Sequence, residues 1–288
     1  TPSSSSSQLP FNPTAVFAPS DAAFAALPVG ALQFLLKPEN VGILSAILGY
    51  HIVAGSVLST DLMDGMEVLS STNQMMMIAV DAANGMVSVN GATVETADLI
   101  ATNGVIHVID QVLLPPDIVL PPDLVDTAIA NGNFETLVTA LTMADLVGAL
   151  KGDIFTVYAP TNAAFEDLPA GVLEALLADV MLLRQVLLYH VSAGEISELL
   201  DGQEITTLEG ETIMVSVTAG DEVTLNGGVT TVVSDAVVTL NGVIYVIDQV
   251  LIPPDFIIPQ NLEEVALANG LDILLAAADA TVLSALCS

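Results

Sequence analysis

Basic residues are almost missing from this chain. Its 288 residues include three Lys and Arg against 34 Asp and Glu, which gives a formal net charge of −31 at pH 7. A protein that binds nucleic acid uses Lys and Arg to displace phosphate counterions, and an anionic membrane attracts polybasic patches. Since Lys37, Lys151 and Arg184 are the only such residues, we expect no nucleic-acid partner and no attraction to a membrane surface.

Cysteine and long apolar runs are scarce as well. Cys287 is the only cysteine, so an intrachain disulfide is excluded. The most apolar stretch, residues 172–189, is interrupted by three charged side chains, whereas a membrane-spanning helix needs about 20 consecutive apolar residues. This stretch is typical of a buried helix, and we expect no membrane insertion.

The sequence also lacks common catalytic and metal-binding patterns. It has three histidines, and it contains no Gly-x-Ser-x-Gly elbow, no phosphate-binding loop and no His-Glu-x-x-His motif. Acidic pairs such as Asp61/Asp64 and Glu209/Glu211 lack the spacing of an EF-hand loop, so we interpret them as solvated surface acids. We therefore expect a protein that is not an enzyme and that uses no metal or cofactor.

What the sequence does contain is a long internal repeat. Residues 103–117 (NGVIHVIDQVLLPPD) recur as residues 241–255 (NGVIYVIDQVLIPPD), an offset of 241 − 103 = 138. Two further blocks return in the same order: FAPSDAAF and YHIVAG at residues 17–24 and 50–55, as YAPTNAAF and YHVSAG at residues 158–165 and 189–194. A period of this length matches the size of an independent domain, so whole domains are duplicated.

Within each copy, helical patterns precede strand patterns. In the second copy, residues 124–151 have apolar positions at helical spacing, and residues 172–188 form a predicted helix that is apolar on nearly all faces. Further along, alternation of period two indicates strands, with Asn-Gly hairpin turns at residues 226–227 and, in the first copy, at residues 90–91. Helices followed by antiparallel strands predict an α+β domain.

The repeated blocks resemble the fasciclin domain family. The block at residues 17–24 resembles the first family motif, the Tyr-His pairs at 50–51 and 189–190 its central motif, and the block from residue 103 its second motif. The resemblance implies tandem domains, each a wedge or sandwich of mainly antiparallel strands flanked by helices. It also implies a secreted or cell-surface protein with an adhesive or matrix role and no enzymatic activity.

The Tyr-His pairs have two interpretations. The resemblance implies contact with a receptor, a polysaccharide or another cell-surface protein through Tyr50, His51, Tyr189 and His190. The chemistry of imidazole favours a structural role instead, because its two nitrogens can hydrogen-bond backbone groups and fix the junction between helix and sheet. Both interpretations fit the recurrence of the pair.

Asp110 and Asp248 stand in otherwise apolar Val-Ile-Asp-Gln-Val runs. A carboxylate in such a run must accept hydrogen bonds or face solvent. We favour a structural bond to nearby loop amides over a binding role, and keep both residues as candidate binding residues. His107 is replaced by Tyr245 in the second copy, so no chemistry common to the two copies depends on it.

Three consecutive methionines, Met75 to Met77, lie in a predicted strand of the first copy. Their side chains are expected to face alternately inward and outward. We favour a place in the core for methionine here, with Met76 as the candidate for an exposed interface residue.

The two copies differ at their ends. The second copy has the predicted helical segment 124–151 ahead of its first motif, and the first copy has only a Ser- and Pro-rich stretch there. A third segment with the same Ala-Asn-Gly sequence and an apolar pattern follows the second copy at residues 262–286. We expect these divisions: a tail or linker at 1–11, a first domain at 12–120, a second domain at 121–258 and a further helical segment at 259–288.

An apolar surface on the first domain is therefore expected to lack its own cover. Segment 259–288 can fold back onto its own first domain and close a ring, or dock on the next molecule and build a head-to-tail filament. We favour the filament, and a cut from a longer tandem chain explains the same ends. The predicted assembly residues are Leu262, Val265, Leu267, Leu271, Leu274 and Leu275.

Two functions fit the sequence. One is an extracellular structural protein that self-associates as a homo-oligomer or polymer, and the other is a soluble binding module that recognises a receptor or polysaccharide. An enzyme is the third and least supported alternative.

Overall fold

The computed structural model describes residues 14–81, 83–169 and 171–255. The chain divides into two compact units. The first holds the described residues up to 124 together with 151–154 and 238–242, and the second holds the remaining described residues. Below, the first domain means described residues 14–120 and the second domain those from 121 to 255. The predicted domain boundaries stay predictions, and the predicted tail and third segment lie outside the described residues.

The first domain has one strand, then three α-helices, then six further strands. Its strands are β1 (Thr14–Pro19), β2 (Ile52–Ala54), β3 (Glu67–Leu69), β4 (Met75–Asp81), β5 (Met86–Val89), β6 (Ala92–Ala101) and β7 (Gly104–Ile109). Its α-helices are α1 (Asp21–Ala25), α2 (Ala31–Leu36) and α3 (Val41–Tyr50). Short 3-10 turns at Pro38–Asn40 and Ser59–Asp61 complete the described elements.

These strands form one sheet in the order β2-β1-β7-β6-β5-β4-β3. β1 pairs with β7 in parallel, and the other pairs are antiparallel. A bridge between Val53 and Ser70 joins the two edges, so the sheet is nearly closed. The inward side chains of β4, Met76 and Ile78, pack in a core with Phe17 and other apolar residues, because alternate residues of a strand face the same side.

The second domain begins with additional helices. Its α-helices are α4 (Leu124–Asn131), α5 (Glu135–Met143), α6 (Val147–Lys151), α7 (Asn162–Glu166), α8 (Val172–Ala178) and α9 (Val180–Tyr189). Its strands are β8 (Phe155–Pro160), β9 (Val191–Ala193), β10 (Glu204–Thr206), β11 (Thr212–Val217), β12 (Val223–Leu225), β13 (Thr230–Thr231), β14 (Val237–Thr239) and β15 (Gly242–Ile247).

The described strands of the second domain form sheets in the orders β10-β11-β12-β13 and β14-β15-β8-β9. Bridges between Ser192 and Thr207 and between Val232 and Ile247 connect the two sheets. Each domain thus combines helices with mainly antiparallel strands, which confirms the α+β prediction. Within the described ranges, no helix combines the length and the hydropathy that crossing a membrane requires.

The first motif of each copy forms a capped turn into a helix. The Ser20 hydroxyl accepts the Ala23 N–H at 3.3 Å at the start of α1, and the Thr161 hydroxyl accepts the Ala164 N–H at 3.2 Å at the start of α7. A hydroxyl at this position satisfies a backbone N–H group that has no partner inside the helix. Turn and cap chemistry therefore accounts for this part of the repeat.

In the second domain α5 packs against α7 and α9. Arg184 Nη1 of α9 donates to the Ala144 carbonyl just beyond α5, at 2.5 Å. At the start of α7, Asn162 Oδ1 accepts the Thr136 N–H at 3.1 Å, and Asn162 Nδ2 donates to the Gly132 carbonyl at 3.2 Å. In the first domain, β1 is the earliest described element, so α4 to α6 have no described counterpart there.

Candidate functional site

His51 connects the end of α3 to the segment that follows β7. Its Nε2 atom accepts the Leu113 N–H at 2.9 Å, and its Nδ1 atom lies 2.7 Å from the Ile47 carbonyl oxygen. An amide can only donate, so Nε2 is unprotonated and Nδ1 donates its proton to Ile47. The buried, neutral ring thus joins two segments 62 residues apart in sequence.

His190 makes the same connection in the second domain. Its Nε2 atom accepts the Leu251 N–H at 2.8 Å, and its Nδ1 atom donates to the Val186 carbonyl at 2.7 Å. Burial lowers the pKa of His190 to about 4, and it also lowers the pKa of His51. The cause in both is desolvation of the cationic form, which outweighs the opposing bond to the helix carbonyl.

Tyr50 is tied to the sheet through Asn90. The Tyr50 hydroxyl donates to the Met75 carbonyl at 3.0 Å and accepts from Asn90 Nδ2 at 2.7 Å. Asn90 Oδ1 in turn accepts the Met77 N–H at 2.8 Å. Asn90 has a φ of 48°, which asparagine adopts more readily than most residues, and it forms a two-residue turn with Gly91 between β5 and β6.

Tyr189 repeats this arrangement with Asn226. Its hydroxyl donates to the Thr212 carbonyl at 3.2 Å and accepts from Asn226 Nδ2 at 3.0 Å. Asn226 Oδ1 accepts the Met214 N–H at 3.2 Å. The Asn-Gly pattern predicted only a turn role for the asparagines. Both copies have the asparagine, since 226 − 90 = 136 is close to the repeat offset. This recurrence was the one sequence signal that the asparagines also hold the tyrosine hydroxyls.

Asp110 and Asp248 continue the sheet beyond β7 and β15. Asp110 Oδ1 accepts the Thr93 N–H at 2.6 Å, and Asp248 Oδ1 accepts the Thr231 N–H at 2.7 Å. Each aspartate also donates its own N–H to the carbonyl of the same threonine. The donors belong to strands β6 and β13, which corrects the expectation of loop amides.

His107 and Tyr245 reach matching backbone atoms by different chemistry. His107 Nε2 lies 2.8 Å from the Val57 carbonyl oxygen, and the Tyr245 hydroxyl donates to the Ile196 carbonyl at 2.9 Å. Val57 and Ile196 correspond at the offset of the Tyr-His pairs, 196 − 57 = 189 − 50 = 139. This equivalence has no signal in the sequence, because the two side chains share only a ring with a polar atom.

The methionine strand differs from the prediction in one respect. Met75 and Met77 are 53% and 56% exposed, whereas Met76 is 0% exposed. Successive side chains of a strand face opposite sides, so Met76 points into the core while its two neighbours face outward. The suggestion of Met76 as an exposed interface residue was therefore wrong.

The hydrogen bonds around the Tyr-His pairs go to backbone atoms and to the turn asparagines, of which Asn90 is exposed and Asn226 is half-buried. Tyr50, His51, Tyr189 and His190 are all buried. In the described part of the chain, no group of three or more His, Cys, Asp or Glu residues is placed to hold a metal ion. As a binding site, these residues and the two aspartates stay a prediction, and the assembly residues between 262 and 275 lie outside the described residues.

The geometry defines a class of protein: two tandem α+β domains, each closed by the same Tyr-His-Asn network. The sequence profile of the fasciclin domain matches residues 5–115 and 132–253. The chain belongs to the fasciclin domain family.

Similar proteins match one or both domains. Transforming growth factor-beta-induced protein ig-h3 of Sus scrofa is 38% identical over 243 residues, 83% of this chain and 34% of that protein. Periostin of Homo sapiens is 38% identical over 240 residues, 82% of this chain and 28% of that protein. This chain thus spans about a third of the length of these relatives.

A bacterial relative matches one domain. Cell surface glycolipoprotein MPB83 of Mycobacterium bovis is 42% identical over 111 residues, 38% of this chain and 49% of that protein. Among solved structures, a FAS1 domain pair from the insect cell adhesion molecule fasciclin I aligns with 84% of this chain and 89% of its own, at 18% identity and a TM-score of 0.41.

Proposed function

We propose that the protein is a secreted or cell-surface structural protein with an adhesive role and no enzymatic activity. Its copies associate head to tail, each donating its C-terminal segment, residues 262–286, to another copy. Membership of the fasciclin domain family supports the adhesive role, and the bacterial relative that is named a cell surface glycolipoprotein supports the location. The strongly acidic composition supports a partner other than nucleic acid or anionic lipid.

The observation that carries the association is a sequence block that occurs twice and is helical in the second domain. Residues 128–132 (AIANG) recur as residues 266–270 (ALANG). In the second domain this block forms the end of α4 and the glycine after it, and it leads into α5, which packs against α7 and α9. The second occurrence follows the second domain, and we propose that it takes the same place on the first domain of another copy.

Two apolar positions after the repeated glycine keep their spacing. Phe134 and Leu137, three residues apart, are buried in the second domain. Leu271 and Leu274 are also three residues apart, and they stand one residue closer to the glycine, since 134 − 132 = 2 and 271 − 270 = 1. A contact of this kind joins two different surfaces, so it continues from copy to copy and builds an open chain of molecules.

Deletion of residues 259–288 tests this function. The mass of the full chain is measured by light scattering over a range of concentrations, and assemblies are viewed by electron microscopy. We expect the full chain to grow into linear assemblies and the truncated chain to remain monomeric. Leu274→Asp should act like the deletion, whereas Asp272→Asn, in the same segment, should leave assembly intact.

Two other results would change the conclusion. Assembly that persists without residues 259–288 would overturn the donated segment. A full chain that stays monomeric at all concentrations would overturn self-association and favour a soluble binding module for a receptor or polysaccharide. Reducing agent should have no effect on assembly, because Cys287 is the only cysteine and would face a domain without one.

A further inference from the structure

We infer that the surface receiving residues 262–286 of a second copy is an apolar face on the first domain, formed by Phe24, Leu44, Leu48 and Ile106. This inference rests on the head-to-tail association proposed above and names its partner surface. The four residues are called the receiving face below. They come from α1, α3 and β7.

Residues of the receiving face are more exposed than their counterparts in the second domain. Leu48 of α3 is 51% exposed, whereas Leu187 at the same place in α9 is 2% exposed. Ile106 of β7 is 36% exposed, whereas Ile244 of β15 is 2% exposed. The remaining two differ in the same direction: Phe24 and Leu44 are half-buried, and their counterparts Phe165 and Leu183 are buried.

The second domain shows which element lies against the helices that carry three of these positions. α5 packs against α7, which contains Phe165, and against α9, which contains Leu183 and Leu187. Large exposed apolar patches on soluble proteins commonly mark interaction sites. Because the two domains share their fold, an element like α5 is the occupant assigned to the receiving face.

Residues 262–286 supply such an element. Gly132, which ends α4, has a φ of 72°, a conformation that glycine adopts without strain. Gly270 provides a glycine at the corresponding point of the segment. After this glycine the segment is one residue shorter, so the offset changes from 138 to 137. Leu283 then aligns with Leu146, and Thr281 takes the place of Ala144.

One polar contact differs between the domains and predicts a substitution that should strengthen the association. In the second domain, Asn162 both accepts the Thr136 N–H and donates to the Gly132 carbonyl. Its counterpart in the first domain is the exposed Asp21. A carboxylate can accept from the incoming segment but has no N–H to donate to the carbonyl of Gly270. Asp21→Asn should therefore strengthen the association.

Substitutions on the receiving face separate this inference from the proposed function. We expect Leu48→Asp to weaken association of the full chain at least tenfold, since a charge in an apolar contact is left unpaired. Met63→Asp adds the same charge at a side chain that is 68% exposed outside the receiving face, and it should associate like the wild type. Asp21→Asn should tighten association several-fold. Sedimentation equilibrium measures all three constants, and circular dichroism confirms that each variant is folded.

A crosslink identifies the partner. In a Cys287→Ser background, one variant carries Ser45→Cys, at the position of Arg184, and another carries Thr281→Cys. A short bis-maleimide should join the two variants when they are mixed. A third variant carries both cysteines in one chain. If only this variant crosslinks, and within a single chain, the segment closes on its own molecule, which would overturn the inference that a second copy is the partner.

The outcomes are distinguishable. A wild-type chain that does not self-associate overturns the proposed function together with this inference. A wild-type chain that associates, with Leu48→Asp associating equally well, overturns the receiving face and leaves the proposed function standing.

Discussion

In the first domain, Tyr50 and His51 make the same contacts as Tyr189 and His190 make in the second, yet Leu48 is 51% exposed where Leu187 is 2% exposed. The polar network is therefore the same in the second domain, which includes α4 to α6, and in the described part of the first domain, which begins at β1. In each domain its partners lie in the helix before the Tyr-His pair, in the hairpins and in the segment after the last strand. The network thus maintains the fold in both domains, while the exposure of the apolar layer differs between them.

A second contrast concerns the aromatic pair on the central strands. His107 stacks on Phe17 with ring centroids 5.4 Å apart, and Tyr245 stacks on Tyr158 at 5.9 Å. His107 and Tyr245 also each hydrogen-bond a backbone carbonyl. This position requires a flat ring with a polar atom close enough to hydrogen-bond the backbone carbonyl, and either histidine or tyrosine meets that requirement.

Lowering the pH should have the largest effect on the stabilities of the two domains. The pKa of His190 is lowered from 6.5 to about 4 in the folded state. Below pH 6.5 the unfolded chain therefore binds a proton that the folded domain does not bind until about pH 4. The second domain therefore has its full free energy of unfolding above pH 6.5. As the pH falls from 6.5 to about 4, we expect this free energy to decrease by on the order of 3 kcal/mol.

Hydrogen exchange read by mass spectrometry measures this loss in each domain, after correction for the pH dependence of chemical exchange. His190→Gln removes the titrating group and should flatten this part of the profile in the second domain only. The pKa of His51 is also lowered, so the first domain should lose stability in the same direction. Equal pH profiles for wild type and His190→Gln would contradict the assignment.

Removal of the turn asparagines should have the next largest effect. Asn226→Ala removes the bonds to the Tyr189 hydroxyl and the Met214 N–H and places alanine at a φ of 52°, so we expect a loss of about 2 kcal/mol. Asn226→Gly keeps the backbone conformation and should cost less. Asn90→Ala should behave alike in the first domain. Calorimetry measures the shifts, and unequal losses in the two domains would show that the networks are not equivalent.

The aromatic position should respond more weakly. Tyr245→Phe leaves the Ile196 carbonyl without this donor and keeps a ring for stacking, so a loss of about 1 kcal/mol is expected. His107→Phe is the matched change in the first domain and removes the bond to Val57. If thermal unfolding shows no change for either variant, the carbonyls are satisfied by water instead.

Oxidation of the methionine strand should have the smallest effect on stability. Met75 and Met77 are exposed while Met76 is buried, so dilute hydrogen peroxide should convert the outer two to sulfoxides first. Peptide mass spectrometry resolves the order. The melting temperature should hardly change until Met76 reacts, and early oxidation of Met76 would place this strand in a different register.

The sequence predicted those parts of the fold that depend on local pattern. The repeated blocks indicated tandem domains, the Asn-Gly pairs indicated turns, and helical and alternating periods indicated α+β domains. The partners of His51 were beyond reach, because the Leu113 amide is 62 residues away and amides carry no sequence signature. The exposure of Leu48 was equally hidden, since leucine has the same helical spacing whether or not another helix covers it.

Parallel pairing of β1 with β7 has a mechanical consequence. The two strands align over six residue pairs, from Thr14 with Gly104 to Pro19 with Ile109. A pull that draws residue 14 one way and residue 109 the other acts along neighbouring strands in opposite senses. The load is then shared as shear among the evenly spaced bonds of a parallel pair, instead of opening them one by one. The first domain is thus built to bear tension along the chain.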